Sequence, residues 1–154
     1  MGKLLLGDVL MNNNLFNLRE YKDLYQKDIA EIIGVHQRTY SSWETGTKII
    51  PLSHLNTLCN YYGVSMDYVL GLSNNKTNKN IVQIKSLNKK EIGLRIKKIR
   101  EDNNLSLRKL ASELNTTSST ISAYETGKTL ILTAFAYQIC KNYKISLDWL
   151  CGRE

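Results

Sequence analysis

The chain has 154 residues, 42% hydrophobic and 23% charged, with a formal net charge of +7. That composition belongs to an ordinary soluble protein with material for one or two small cores, and no apolar run approaches the ~18–20 residues of a membrane span. Three cysteines fit no disulfide framework; Cys59 and Cys140 read as buried core thiols, which implies a reducing cytosol.

Residues 1–14 read as an N-terminal arm. Leu4-Leu5-Leu6 and Val9-Leu10-Met11, interrupted by Gly7-Asp8, are too short and broken for a signal peptide. They are expected to pack on a domain or to supply a dimer contact. Asn12-Asn13-Asn14 leads into a first helix whose Leu15, Leu18 and Tyr21 share one face. Tyr25 and Gln26 open a second helix with Ile29, Ala30 and Ile33 as its stripe. Small Ala30 leaves room for a close helix crossing. Gly34 supplies a turn position open to positive φ, Val35 returns to the core, and a third helix starts near His36 or Gln37.

Tyr40 and Trp43 face inward from that third helix, while Gln37, Arg38, Ser41 and Ser42 occupy its other face. It closes at Glu44-Thr45-Gly46, with Gly46 as its C-terminal cap. Pro51 falls in the first turn of a fourth helix, where its missing N–H costs nothing. Leu55, Leu58, Cys59 and Tyr62 form that helix's buried stripe. Ser65 caps a short fifth helix with Asp67 in its first turn, and Gly71 ends it.

Residues 74–90 read as a linker. Its first part, Asn74-Asn75-Lys76-Thr77-Asn78-Lys79-Asn80, is polar and low in complexity. Ile81-Val82-Gln83-Ile84 is a candidate strand with no visible partner. Charge is uneven: residues 1–73 carry −1, residues 74–90 carry +5 with no acid, and residues 91–154 carry +3. Lysines 79, 85, 89 and 90 are therefore expected to face phosphate.

The remainder repeats the beginning. A shift of 81 residues lays residues 107–127 over residues 26–46 without a gap. Ala30 falls on Ala111, Thr39 on Thr120, Ser41 on Ser122, and Glu44-Thr45-Gly46 on Glu125-Thr126-Gly127. Farther out, Arg19 falls on Arg100, Cys59 on Cys140, Tyr62 on Tyr143 and Asp67 on Asp148. Such a repeat implies two domains, 15–73 and 91–154. In the second copy Ile92, Ile96 and Ile99 run down helix 1, and Thr117 is a better N-cap than His36. Leu132 replaces Pro51, so the entry to the fourth helix is expected to differ.

The helix–turn–helix pattern, the Trp/Tyr-Glu-Thr-Gly exit and the Ser-x-Asp-aromatic ending together resemble the phage lambda repressor and Cro-like helix-turn-helix family, also called the xenobiotic response element family. The resemblance covers roughly residues 15–73 and 91–152. It implies an all-α fold of two lambda repressor-like DNA-binding domains, about five short helices each, joined by the basic linker. In this family helix 1 neighbours the end of helix 3 and an Arg–Glu bridge is common, so Arg19–Glu44 and Arg100–Glu125 are expected to be structural ion pairs.

The implied partner is double-stranded DNA, read through the major groove by a transcriptional regulator of repressor type. The first turn of a recognition helix meets base edges. In copy one this assigns Gln37 and Arg38, with Ser41 and Ser42 a turn later; Gln can pair with adenine and Arg with guanine. Gln26 matches a family position that bonds phosphate or supports the reading Gln, and Thr45, Thr47 and Lys48 would hold the backbone. In copy two Leu107 replaces that Gln, and the face comprises Ser118, Ser119, Ser122 and Ala123, with Thr117 at its cap and Arg108, Thr126 and Lys128 as further DNA-binding candidates. Nothing there offers a bidentate fork, so copy one should carry specificity and copy two affinity.

The alternative is an antitoxin-like or adaptor protein whose helix-turn-helix domains mainly bind another protein or dimerise. No triad order, phosphate-cradling loop or metal-ligand spacing suggests an enzyme; His36 and His54 read as surface or cap histidines. No cofactor, metal or small-molecule effector is expected. The location implied is cytoplasmic, with no membrane contact, and a homodimer is an open expectation.

Overall fold

A computed structural model describes residues 11–154, with side chains from Asn14 onward. The expectations for residues 1–10, including a dimer contact through Leu4, Leu5 and Leu6, lie outside the described residues. Among the described residues the fold is all-α, with no strand and no helix long and apolar enough to cross a membrane. Two compact units form, Met1–Ile81 and Val82–Glu154.

The first unit contains α1 (Met11–Tyr21), α2 (Gln26–Ile33), α3 (Gln37–Glu44), α4 (Leu52–Tyr62) and α5 (Met66–Val69). The second contains α6 (Lys89–Asp102), α7 (Leu107–Glu113), α8 (Ser118–Glu125), α9 (Thr133–Tyr143) and α10 (Leu147–Leu150). Each unit packs its helices around one apolar centre. Leu15, Ile29, Tyr40, Leu55 and Leu58 are fully buried in the first; Ile96, Leu110, Ile121, Ala136 and Ile139 hold equivalent places in the second. Burial of such side chains contributes about 1.5–3 kcal/mol each for the larger ones. Cys59, Cys140 and Cys151 are buried in these cores and form no disulfide.

Several expectations are corrected. Helix α1 starts at Met11, so Asn12, Asn13 and Asn14 lie inside it rather than ahead of it. Asn14 Nδ2 donates to the Tyr68 carbonyl at 2.6 Å and ties α1 to α5; the corresponding Arg95 donates to the Trp149 carbonyl. Tyr21 is 81% exposed and does not share the Leu15–Leu18 face. It closes the helix, and its ring lies under Lys76 Nζ at 5.2 Å instead. Val35 is half-buried rather than core.

Pro51 is the N-cap of α4, not a residue of its first turn, with φ −61° and ψ 148°. Leu132 takes nearly the same conformation, φ −67° and ψ 141°, so the expected difference in helix entry is absent. The extended N-cap conformation accepts either residue, because the helix begins only afterwards.

Ile81-Val82-Gln83-Ile84 is not a strand. Within it, Val82 N–H donates to the Arg153 carbonyl at 2.7 Å. Arg153 is itself buried, donating through Nε to Asp148 Oδ1 at 3.0 Å. On the other side, Ser65 N–H donates to the Lys76 carbonyl at 2.7 Å. Each end of the linker is thus laid against its own domain, and residues 77–81 lie between the ties.

Candidate nucleic-acid interface

The α2–turn–α3 unit is built by two opposed demands. Ile29, Ala30 and Ile33 on α2, with Tyr40 and Trp43 on α3, are buried, and they pin one side of each helix to the core. Between them the chain reverses at Gly34, whose φ of 75° is left-handed and costs least in glycine. The Val35 N–H reaches back to the Ala30 carbonyl at 2.9 Å, satisfying an end-of-helix acceptor. Asn115 takes the same turn position in the second copy at φ 54°; asparagine is among the few side chains that enter this region readily.

With Tyr40 and Trp43 fixed inward, the first turn of α3 is left in solvent. Gln37 and Arg38 are exposed there, while Ser41 and Ser42 are half-buried a turn later. Thr45, Thr47 and Lys48 are exposed beyond the helix end. Two hydroxyls are already engaged: Ser42 Oγ donates to the Thr39 carbonyl at 2.6 Å, and Thr45 Oγ1 to the Ser41 carbonyl at 2.9 Å. Each retains acceptor capacity.

Behind this face lies the ion pair. Arg19 grips Glu44 through Nε–Oε2 at 3.0 Å and Nη2–Oε1 at 2.7 Å, and its Nη1 donates to the Leu24 carbonyl at 2.7 Å. Arg19 and Glu44 are 7% and 6% exposed. Burial alone would raise the Glu44 carboxyl, but hydrogen bonding from Arg19 overrides it and holds the group below the ordinary carboxylate value. The Tyr40 hydroxyl lies close enough to act on that charge without the geometry of a made hydrogen bond. Gln26 turns inward too, its Nε2 3.4 Å from Glu44 Oε1.

The second copy reproduces the pair. Arg100 meets Glu125 through Nε–Oε2 at 2.7 Å and Nη2–Oε1 at 3.0 Å, and its Nη1 donates to the Leu105 carbonyl at 2.9 Å. Both expected structural bridges are therefore present as bidentate forks, the geometry for which Arg is suited. What surrounds the second pair is different. Leu107 and Ile121 occupy the places of Gln26 and Tyr40.

Across α7 and α8 the structure gathers Ser118, Ser119, Ser122, Thr126 and Lys128 with Leu107 and Ala123 around one open concavity of about 410 Å³. Thr117 caps α8 as expected, its Oγ1 accepting from Thr120 N–H at 3.2 Å. Arg108 is exposed on α7. Sequence reasoning places Ala123 on this face and Leu107 at the start of α7; their shared position at one concavity is what the structure adds, and 107 and 123 are two positions where the second copy exchanges a polar residue for an apolar one.

The histidines have structural places. His36 is the N-cap of α3, and His54 lies against Trp43 with ring centroids 5.1 Å apart. The second copy puts Tyr124 and Phe135 in the same relation at 6.3 Å. Among the described residues no group of His, Cys, Asp and Glu is placed to hold a metal ion.

Two family models match the sequence of these domains. One described as "Helix-turn-helix" covers residues 15–69, and one described as "Helix-turn-helix domain" covers residues 93–153. The chain is a tandem helix-turn-helix protein of the lambda repressor-like family. It is 39% identical over 59 residues to the "Uncharacterized HTH-type transcriptional regulator YobD" of Bacillus subtilis (strain 168), covering 38% of this chain and 53% of the relative. It is 34% identical over 55 residues to the "Cryptic phage CTXphi transcriptional repressor RstR" of Vibrio cholerae, covering 36% of this chain and 50% of that protein. The chain thus spans about half the length of the curated relatives it matches. Among solved structures, the clp gene regulator ClgR from Corynebacterium glutamicum overlaps 42% of this chain and 68% of its own, at 20% identity and a TM-score of 0.39.

Proposed function

We propose that the chain is a sequence-specific double-stranded DNA-binding regulator of transcription, of repressor type, that reads the major groove through α3. The carrying observation is the first turn of α3, where Gln37 and Arg38 stand exposed on a helix whose opposite side is anchored by Tyr40 and Trp43. An anchored helix holds a bidentate side chain in register with a base edge, and that pairing discriminates bases. The regulator and repressor named in its two curated relatives support the same reading.

Roles follow from position. Gln37 and Arg38 meet bases, Ser41 and Ser42 support them, and Thr45, Thr47 and Lys48 hold phosphates. Gln26 acts from behind, since its amide is directed at Glu44. In the second domain Arg108, Thr126 and Lys128 supply phosphate contacts, and Ser118, Ser119 and Ser122 face the groove, while Thr117 serves as the cap. Two unlike domains in one chain address an asymmetric site without a second copy. The work is recognition rather than catalysis, in a reducing cytoplasm that suits three buried cysteines without a disulfide.

The test is selection from a random duplex pool, followed by titration in rising salt. Binding should recover a defined sequence and weaken with salt, and Arg38→Ala should relax preference at one base pair by ~1–3 kcal/mol. Unchanged base preference would remove Arg38 from the reading face. Retention of a protein partner with no salt-dependent duplex binding would favour the adaptor reading.

A further inference from the structure

Domain 2 presents no charged fork toward its concavity; it presents hydrocarbon. Leu107, half-buried at the first position of α7, and Ala123, half-buried on α8, flank a space walled also by the hydroxyl-bearing Ser118, Ser119, Ser122 and Thr126. Lys128 is the one charged side chain in the lining. The two hydrocarbon groups sit where domain 1 has Gln26 and Ser42, so the exchange from polar to apolar is local to this face. Domain 2, counted from Val82, carries thirteen basic and seven acidic residues, +6, which suits a polyanion.

Among the base edges of the major groove, the thymine C5-methyl is the group that rewards apolar contact rather than hydrogen bonding. Serine hydroxyls both donate and accept, so they tolerate either neighbouring edge without choosing between bases. From this lining we infer that domain 2 reads thymine by its methyl group, with Leu107 and Ala123 as the specificity-determining residues and Lys128 on the adjoining phosphate. The inference rests on the duplex-binding reading above and gives it a chemistry for the second half-site. One half is then read by hydrogen bonds from Gln37 and Arg38, the other by methyl burial.

The experiment uses the full chain and a duplex selected by it. Each thymidine in turn is replaced by deoxyuridine, which removes only the C5-methyl. One or two thymines, at positions where preference is insensitive to Arg38→Ala, should each lose about fourfold in affinity, the equivalent of ~0.8 kcal/mol for one buried methyl group. In Leu107→Gln, which installs the residue domain 1 carries at this position, the same replacements should have no effect. Salt-dependent duplex binding that persists with no uracil effect anywhere in that half, or with an effect equal in Leu107→Gln, would overturn the inference alone. Absence of salt-dependent duplex binding would overturn it together with the function it rests on.

Discussion

The two domains keep one backbone and change one face. Five residues of the first lie in the left-handed region, at 23, 34, 46, 63 and 71, and the second repeats all five at 104, 115, 127, 144 and 152. The Arg–Glu fork recurs with the same atoms in the same roles. Yet around the fork domain 1 is polar, with Gln26 and Tyr40, and domain 2 apolar, with Leu107 and Ile121. The outer face varies too, with Gln37 and Arg38 of α3 becoming Ser118 and Ser119 of α8, all four exposed, and the scaffold is undisturbed. That separation is possible because the inward halves of α3 and α8 are held by the core, and the outward halves by nothing but solvent.

The largest expected effect probes how each domain supports its buried acid. Breaking a buried pair strands the remaining charge at a cost of ~3–5 kcal/mol. After Arg19→Met, Glu44 keeps Gln26 within reach and the Tyr40 hydroxyl nearby; after Arg100→Met, the positions matching Gln26 and Tyr40 hold Leu107 and Ile121, which offer Glu125 no side-chain hydrogen bond. Arg100→Met should therefore cost domain 2 more than Arg19→Met costs domain 1. Each domain holds one tryptophan, Trp43 or Trp149, so their indole N–H resonances followed through urea titration report the two separately. Equal losses would show that the polar neighbours contribute nothing to the pair.

A smaller effect is expected where α6 meets α8. A Cβ on Gly93 would stand 2.3 Å from the Tyr124 carbonyl oxygen and 2.6 Å from that of Glu125. Both obstacles are backbone and cannot rotate aside. In an open helix Gly→Ala gains roughly 0.5–1 kcal/mol; here the sign should reverse, with Gly93→Ala costing domain 2 about 1–3 kcal/mol through overpacking. The Trp149 resonance should melt earlier while that of Trp43 stays put. A gain in stability would mean the two helices separate freely.

The smallest expected effect concerns Lys144, which ends α9 at φ 54° where Gly63 ends α4 at φ 67°. A side chain with a Cβ pays for this conformation and glycine does not. Lys144→Gly should stabilise domain 2 by about 0.5–1 kcal/mol after its added chain entropy in the unfolded state. A loss on urea unfolding would point to contacts of the lysine stem that outweigh the strain.

Much of this was legible from the residues. The 81-residue repeat announced two domains, and spacing within each copy placed Tyr40 and Trp43 inward and Gln37 and Arg38 outward. Local signals resolve such features because a helix face is a property of one segment. Tyr21 was misplaced by the same rule: its spacing from Leu18 fits the stripe, but it falls at the last residue of α1, past the core's edge. The apolar candidate strand at 81–84 failed for a related reason, since a strand needs a partner strand, and Val82 N–H instead meets the Arg153 carbonyl beyond the end of α10.

By itself the sequence determined the duplication and most of the helices, which follow from a pattern seen twice and from periodicity, while the Arg–Glu partners 25 residues apart followed from the family resemblance. Tertiary structure alone decided that Leu107 and Ala123 share one concavity, that Gly93 is pressed against the end of α8, and that Arg153 is buried on Asp148. Those relations depend on where separate helices cross, and side-chain spacing along one helix carries no information about the crossing.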